Sequence, residues 1–290
     1  MNIHSNNLNH VLNFYKLQLN DVYLIDEIIE VFNIVCLYYL GLSKSDVLIK
    51  QNDRINQSDL INLYNTCNEL KTGKPIQYIL SEAYFYDLKF KVNHFTLIPR
   101  PETEELVYLI IQMIANKTKS LNFVDIGTGS GCIPITLKKH FINSNFFGLD
   151  ISEGALEVAN FNAKLNNTNV DFFIYDILNN NQLLNLKFDC IISNPPYILK
   201  SEAVEMEDKV LKFEPSIALF VENNDPIIFY KKIIDLCLNS LSDNGYLFFE
   251  LNPICANDIV VYANASNLFK SVEILIDMSG KQRFLIAQKK

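Results

Sequence analysis

From residue 121 onwards, the chain alternates short apolar runs with amphipathic stretches of helical period. The first four runs are continuously apolar, which favours a parallel sheet that is covered on both faces. Helical stretches such as residues 154–167 separate most of the runs. The pattern therefore predicts an α/β chain with a doubly wound, seven-stranded sheet. The predicted strands are residues 121–127, 145–150, 170–175, 188–193, 245–251, 272–277 and 283–288.

In the first quarter of the chain, the apolar residues follow a different spacing. Apolar residues recur at spacings of three and four in residues 9–20, 22–42 and 56–70, which predicts amphipathic helices. Gly41 is expected to end the second helix, and Ser43 opens a capping-box sequence that starts the next. This part of the chain is therefore predicted to form a small helical bundle.

Two features separate this bundle from the sheet. Residues 84–93 alternate apolar and polar side chains, which predicts a short β-hairpin. Pro101, which acidic side chains follow, suits the first turn of another helix. We therefore divide the chain into an N-terminal helical domain at 1–80, a hairpin connector at 81–96 and a sheet domain at 97–290.

Charge and composition exclude several classes of partner. The net charge is −8, so a nucleic acid is not expected as a direct partner. The longest apolar stretch, residues 31–42, is too short for a bilayer, which requires roughly 20 apolar residues. The first ten residues lack a basic and then apolar leader. We therefore expect a cytoplasmic protein that contacts no membrane.

The six cysteines show no spacing that is typical of zinc ligands. Several of them lie within apolar runs, where free cysteine behaves as a small buried hydrophobe. We therefore expect no metal site.

The stretch "VDIGTGSGC" (124–132) places a glycine loop between the first strand and a helix. Gly127, Gly129 and Gly131 allow a sharp turn and a close approach of the backbone to a ligand. The nicotinamide fingerprint would require a third glycine at position 132, where this chain has Cys132. The spacing better suits a nucleoside that carries an amino-acid tail, and the alternative is an ordinary tight turn.

Acidic side chains end the next two strands. Asp150 could accept both ribose hydroxyls of a nucleoside, although nicotinamide cofactors use such an acid as well. Asp176 is placed to accept the adenine amino group, and Ile177 could contact the ring. The alternative for Asp176 is an ordinary solvated loop acid.

The stretch "SNPPYI" (193–198) follows the fourth strand and lies beside the same crevice. Asn194 can place its side-chain oxygen inward, and Pro195 offers a carbonyl with no competing N–H. Pro196 stiffens the turn, and Tyr197 offers a flat face. Two fixed acceptors can receive both hydrogens of a planar –NH2 group, and a methyl sulfonium electrophile would make the reaction a methyl transfer. The alternative is a surface turn without chemistry.

The combination of "DIGTGSG" with "NPPY" resembles the class I methyltransferases that use S-adenosylmethionine, which have a Rossmann-like sheet. One branch, the HemK-type methyltransferases of translation release factors, is similar over residues 70–290. Five blocks carry this resemblance in order: "GKPIQYI" (73–79), "LIPRPETEELV" (97–107), "NFNAKLNN" (160–167), "FEPSIAL" (213–219) and "DMSGKQRF" (277–284).

The resemblance implies methylation of the glutamine side-chain amide in the Gly-Gly-Gln loop of peptide-chain release factors. S-adenosylmethionine would be the methyl donor and S-adenosylhomocysteine the product, without a metal. We expect a monomer whose N-terminal domain recognises the release factor. The implied cofactor-binding residues are Gly127, Thr128, Gly129, Ser130, Gly131, Asp150, Asp176, Ile177 and Asn194. The implied substrate-binding residues are Asn194, Pro195, Pro196, Tyr197, Arg100, Pro101 and Glu102, with catalytic roles for Asn194, Pro195 and Tyr197.

The chain departs from the family pattern at several positions. Leu80 stands where the family often has glycine, and Ile177 where an aromatic residue often follows the acid. After the fifth strand of the sheet, Asn252 and Cys255 replace the glycine and the glutamine of an E-x-G block. These changes affect contacts around the reaction centre and leave its motif intact.

Three other functions remain open at this point. A ribosomal-protein glutamine methyltransferase would use the same chemistry. A DNA or RNA adenine methyltransferase would share the proline corner because adenine also presents an –NH2 group, although such enzymes usually have a basic groove. The third alternative is a cofactor-binding scaffold without catalysis.

Overall fold

The computed structural model describes residues 5–115, 119–180, 186–205 and 208–290. The chain divides into two compact units, Met1–Ser81 and Glu82–Lys290. Within the described ranges, no helix is both long enough and apolar enough to cross a membrane.

The first unit is helical, as its period predicts. Gly41 ends the second helix in the left-handed conformation, with φ +64°, and the Ser43 side chain caps the third helix by accepting from the Asp46 N–H. A buried hydrogen bond of 2.6 Å runs from the Tyr15 hydroxyl to the Leu63 carbonyl and ties the first helix to the fourth. The helices are α1 Leu8–Leu19, α2 Ile25–Leu40, α3 Lys44–Ile49, α4 Gln57–Leu70 and α5 Ile76–Leu80.

The second unit begins with the predicted hairpin. Strands β1 Glu82–Phe85 and β2 Leu88–Lys91 pair antiparallel. The two residues between them, Tyr86 and Asp87, both have positive φ, which matches the twist of a tight two-residue hairpin turn. Helix α6 Pro101–Ile114 follows, with its proline in the first turn as expected.

All seven predicted strands of the main sheet are present. After the hairpin, the strands are β3 Asn122–Ile126, β4 Asn145–Asp150, β5 Asp171–Ile174, β6 Phe188–Ser193, β7 Ile198–Leu199, β8 Phe220–Val221, β9 Leu241–Glu250, β10 Phe269–Ile276 and β11 Gln282–Lys289. The order in the main sheet is β10-β11-β9-β6-β3-β4-β5. Strands β5, β4, β3, β6 and β9 run parallel, and β11 and β10 pair antiparallel at one edge. The two-residue strands β7 and β8 pair with each other outside this sheet.

Helices cover both faces of this sheet. Phe123 of β3 packs in an apolar cluster with α6 and the helix after the glycine loop, whereas its neighbour Val124 packs in a second cluster on the opposite face. The remaining helices are α7 Cys132–His140, α8 Glu153–Leu165, α9 Asp208–Phe213, α10 Ser216–Leu219, α11 Ile228–Ser240 and α12 Ala256–Ala265, with 3-10 helices at Lys200–Glu205 and Pro253–Cys255.

Strand β5 corrects one expectation from the apolar pattern. Phe173 is 42% exposed and Ile174 is 58% exposed, so this strand is not covered on both faces. The reason is its place in the sheet: β5 is an edge strand that pairs only with β4 among the described strands.

Candidate active site

A cleft of about 270 Å³ opens at the carboxyl ends of the parallel strands. This is the edge where open α/β sheets bind ligands. Eleven of the residues singled out in the sequence line the cleft: Arg100, Gly127, Thr128, Gly129, Ser130, Asp150, Asp176, Ile177, Asn194, Pro195 and Pro196. Four others lie outside its lining: Pro101, Glu102, Gly131 and Tyr197.

The glycine loop is held open by its backbone conformation. Gly127 has φ +77° and Gly129 has φ +52°. Residues other than glycine rarely adopt such positive φ angles. The N–H groups of Gly127 and Thr128 both donate to the carbonyl of Leu149, at 2.8 and 2.9 Å. The loop is therefore fixed to β4, and its remaining surface faces the cleft.

Gly131 has a different role from the other two glycines. It is the N-cap residue before α7, with φ +78°, and it lies outside the cleft lining against packed side chains. A Cβ atom there would lie 3.0–3.2 Å from side-chain atoms of Ile135, Ala159 and Phe172. The structure therefore gives Gly131 a packing role beneath the loop.

Two backbone donors fix the carboxylate of Asp150. One oxygen accepts from the Gly129 N–H at 2.8 Å and the other from the Ser152 N–H at 2.9 Å. Burial raises the pKa of Asp150, and these hydrogen bonds oppose the rise. The carboxylate is therefore held in one orientation at the edge of the cleft.

Asp176 lines the cleft and also caps the turn after β5. Its carboxylate accepts from the Leu178 N–H at 2.9 Å and from the Asn179 side chain at 2.6 Å. The hydrogen bond from Asn179 is the main cause that lowers the pKa of Asp176. This acid is thus ionised and already engaged in its own loop.

A chain of hydrogen bonds runs behind the proline corner. The Asn194 side-chain nitrogen donates to the Thr103 hydroxyl oxygen at 3.2 Å. The Thr103 hydroxyl donates to one carboxylate oxygen of Glu250 at 2.7 Å, and the Tyr197 hydroxyl donates to the other at 3.2 Å. Our sequence interpretation missed Thr103 and Glu250, although a carboxylate within the apolar run "GYLFFEL" (245–251) was a visible signal.

Tyr197 is thus tied to the interior. Burial and the nearby Glu250 carboxylate raise the pKa of its hydroxyl, so it remains a neutral donor. The predicted packing of its ring against a substrate amide stays a prediction, because Tyr197 lies outside the cleft lining.

Two further contacts brace the surroundings of the corner. Arg100 forms an ion pair of 2.6 Å with Glu214, whose side chain is buried. Asn252 donates to the main-chain carbonyl of Tyr197 at 3.2 Å and to the Glu202 carboxylate at 3.1 Å. The first contact holds the segment before α10, and the second holds the end of the corner itself.

Asp125 lies buried in β3, directly before the glycine loop. Among the residues that the structure describes, no group lies in hydrogen-bonding geometry to either carboxylate oxygen. Burial raises the pKa of Asp125 to about 7, with a smaller contribution from the Asp150 charge, while the nearby Thr128 hydroxyl opposes the rise. Our sequence interpretation did not single out this residue.

The amino-acid sequence of this chain is similar to those of known methyltransferases. The sequence model described as "Methyltransferase small domain" matches residues 107–212. A release factor glutamine methyltransferase from Flavobacterium psychrophilum is 41% identical over 261 residues, which cover 89% of this chain and 91% of that protein. Another from Bacteroides thetaiotaomicron is 34% identical and covers 97% of this chain and 100% of that protein.

Solved structures agree on the fold. A methyltransferase from Pyrococcus furiosus matches 81% of this chain and 99% of its own, with 16% identity and a TM-score of 0.51. The hMettl16 catalytic domain, solved with an RNA hairpin, matches 81% of this chain and 82% of its own, with 16% identity and a TM-score of 0.55. At this level of identity, the likeness concerns the fold alone.

Proposed function

The chain belongs to the release factor glutamine methyltransferase family, and we propose that it methylates the glutamine side-chain amide in the Gly-Gly-Gln loop of a peptide-chain release factor. The observation that carries this proposal is the orientation of Asn194. Its side-chain nitrogen donates to Thr103, which leaves its oxygen available as an acceptor, and Pro195, whose carbonyl is the second proposed acceptor, also lines the cleft. A glutamine amide has the two hydrogens that such a pair of acceptors can bind.

The cleft fits S-adenosylmethionine, which we propose as the methyl donor. The Asp150 carboxylate can accept the two ribose hydroxyls, since its backbone donors leave further lone pairs free. The open backbone of the glycine loop, with Thr128 and Ser130, would hold the amino-acid part. Asp176 and Ile177 would hold the adenine. When bound, this group supplies a methyl carbon on a positively charged sulfur that a nitrogen can attack.

The residues of the proline corner, Asn194 to Tyr197, position the substrate amide. Asn194 and Pro195 accept the two amide hydrogens, and Pro196 keeps their spacing rigid. The buried hydroxyl of Tyr197 anchors the corner to Glu250. Arg100 lies at the edge of the cleft, and Pro101 and Glu102 begin the helix behind it. Fixed orientation of a weak nucleophile can lower a barrier by roughly 7–11 kcal/mol in favourable systems.

We further propose that the helical unit recognises the release factor, and that the enzyme acts as a monomer. Release factors work in the cytoplasm, and we place the enzyme there as well. The hairpin at residues 81–96 is proposed as the connector to the catalytic domain at 97–290.

The test is transfer of labelled methyl groups. The protein is incubated with labelled S-adenosylmethionine and, separately, a release factor, its Gln→Ala loop variant, ribosomal proteins and adenine-containing DNA. Label on the release factor that disappears with the loop variant supports the proposal. Label only on ribosomal protein or only on DNA contradicts it.

A matched pair of variants tests the role of Asn194. Asn194→Ala is expected to reduce kcat heavily, whereas binding of S-adenosylhomocysteine changes much less. Asn160→Ala, which alters an exposed asparagine of α8 outside the cleft, should leave both unchanged. Equal losses of kcat and product affinity in Asn194→Ala would mean that Asn194 serves mainly to hold the cofactor.

A further inference from the structure

We propose that Thr103 is a positioning residue that decides which end of the Asn194 amide faces the cleft. This inference rests on the proposed function, because the orientation matters only if Asn194 must accept hydrogens from a substrate –NH2 group. Thr103 lies in the first turn of α6, whereas Asn194 follows β6. Glu250, to which Thr103 donates, ends β9, so these three residues come from separate parts of the fold.

The direction of the hydrogen bonds is set by Glu250. While Glu250 is ionised, its carboxylate can only accept, so the Thr103 hydroxyl donates its single proton to Glu250, at 2.7 Å. The hydroxyl oxygen is then available to Asn194 only as an acceptor. Asn194 must present its –NH2 group to Thr103, at 3.2 Å, and its carbonyl oxygen points elsewhere.

The reversed orientation of the Asn194 side-chain amide is unfavourable for two reasons. It would place the Asn194 oxygen against a hydroxyl oxygen that has no proton left to donate. It would also present N–H donors to a substrate –NH2 group, which needs acceptors. An asparagine side chain has no intrinsic preference between these orientations, so the preference must come from its neighbours.

Burial makes the contact of Thr103 hard to replace. Thr103 lines the cleft but is only 4% exposed, and Glu250 is 1% exposed, so few other groups can take over their hydrogen bond. The end of β9 lies next to the end of β6, with Phe249 paired to Ser193 directly before Asn194. The sheet therefore fixes Glu250 relative to Asn194, and the Thr103 side chain bridges the gap.

Three substitutions separate the hydroxyl from the volume of the side chain. Thr103→Val preserves the shape without the hydroxyl, Thr103→Ala removes both, and Thr103→Ser keeps the hydroxyl. We expect kcat with the release factor to fall about tenfold or more in the valine and alanine variants, and to stay within about threefold in the serine variant. The affinity for S-adenosylhomocysteine should stay within about threefold in all three.

Two results would overturn the proposal. One is a serine variant as slow as the valine variant, because the effect would then be one of packing. The other is a folded valine or alanine variant with the kcat of the unmodified protein. The alanine variant keeps the test valid if valine disturbs the buried site, and thermal unfolding of each variant shows which ones are folded.

A second measurement does not depend on methyl transfer. The side-chain –NH2 hydrogens of Asn194, assigned by NMR with Asn194→Ala, should exchange with solvent about tenfold faster in Thr103→Val than in Thr103→Ser. Equal exchange in the two variants overturns the inference. If the unmodified protein fails to methylate any release factor, the proposed function fails, and this exchange experiment still decides whether Thr103 holds the amide.

Discussion

The side-chain nitrogen of Asn252 lies 3.2 Å from the main-chain oxygen of Tyr197, the last residue of the proline corner. The same nitrogen donates to the Glu202 carboxylate, and the Asn252 oxygen accepts from the Ile254 N–H. Asn252 is 6% exposed, so its side-chain amide relies on these partners for its hydrogen bonds. A residue that departs from the family pattern thus braces the corner of this chain.

We expect Asn252→Asp to impair both the corner and the fold. A carboxylate there would face the Tyr197 carbonyl and the Glu202 carboxylate with no proton to donate. The free energy of unfolding should fall by about 1–3 kcal/mol, and kcat/KM by about tenfold. Denaturant titration and methyl-transfer kinetics measure these effects. Adding Glu202→Gln should recover part of the loss, and an Asn252→Asp variant that equals the unmodified protein would contradict this role.

The ionisation of Glu250 predicts how kcat decreases at low pH. Burial raises the pKa of Glu250, whereas hydrogen bonds from Thr103 and Tyr197 and the charge of Arg283 oppose the rise, and Glu102 adds to it. A protonated Glu250 could donate to Thr103, and the direction of the hydrogen bonds would be lost. We therefore expect kcat to fall by about tenfold as the pH drops through this raised pKa, towards the level of Thr103→Val.

The measurement is kcat at saturating cofactor and substrate between pH 5 and pH 9. Thr103→Val is the control, because a variant that lacks the hydroxyl no longer connects Glu250 to Asn194. Its acidic limb should be flatter than that of the unmodified protein. An identical limb in both proteins would mean that another group causes the pH dependence.

Local signals in the sequence were sufficient for most of the fold. The seven strands, the helical first unit and the hairpin are confirmed, because each rests on a short-range period, a glycine or a cap. The start of β9 was not found. This strand begins at Leu241, but the polar residues that follow form an irregularity opposite β6, and Asn244 has φ +61°. No alternation marks such a segment.

The hydrogen bonds behind the proline corner could not be predicted from local sequence patterns. Thr103 and Glu250 are 147 positions apart in the chain, and only the sheet order brings them together. Asp150 and Asn194 were predicted to face the crevice because they follow apolar runs at the ends of strands, and both line the cleft. The same limitation explains β5, since an apolar run does not reveal which strand lies at the edge of the sheet.

Asp125 gives a pH-dependent prediction for stability. Its pKa rises from 3.8 to about 7 on folding, so the folded state holds this proton more tightly than the unfolded chain. The resulting contribution to stability is complete below pH 3.8 and is lost as the pH rises through 7. Above that pH, the ionised buried carboxylate costs about 4 kcal/mol relative to the unfolded chain.

We therefore expect Asp125→Asn to raise the free energy of unfolding at pH 8, in the absence of ligand. The gain should be roughly 3 kcal/mol smaller at pH 5, where the carboxyl group of the folded protein is already protonated. Urea titrations of both proteins at the two pH values measure this difference. A gain of the same size at both pH values would show that the carboxyl group titrates normally.

The ion pair of Arg100 with Glu214 connects stability to the shape of the cleft. Glu214 also accepts from the Ile98 N–H at 3.4 Å, so its buried carboxylate joins the start of α6 to the segment before α10. Ile217 of α10 and Arg100 itself both line the cleft. Loss of the ion pair should therefore loosen one wall of the cofactor site.

Arg100→Met leaves the Glu214 carboxylate buried without its cation. Arg100 is itself one-third exposed, so solvent screens part of the interaction, and we expect a loss of about 1–3 kcal/mol in unfolding free energy. S-adenosylhomocysteine should also bind more weakly in calorimetry. Arg100→Met combined with Glu214→Leu should recover stability, because the unpaired charge is removed. A double variant whose loss equals the sum of the two single losses would show that the two side chains act independently.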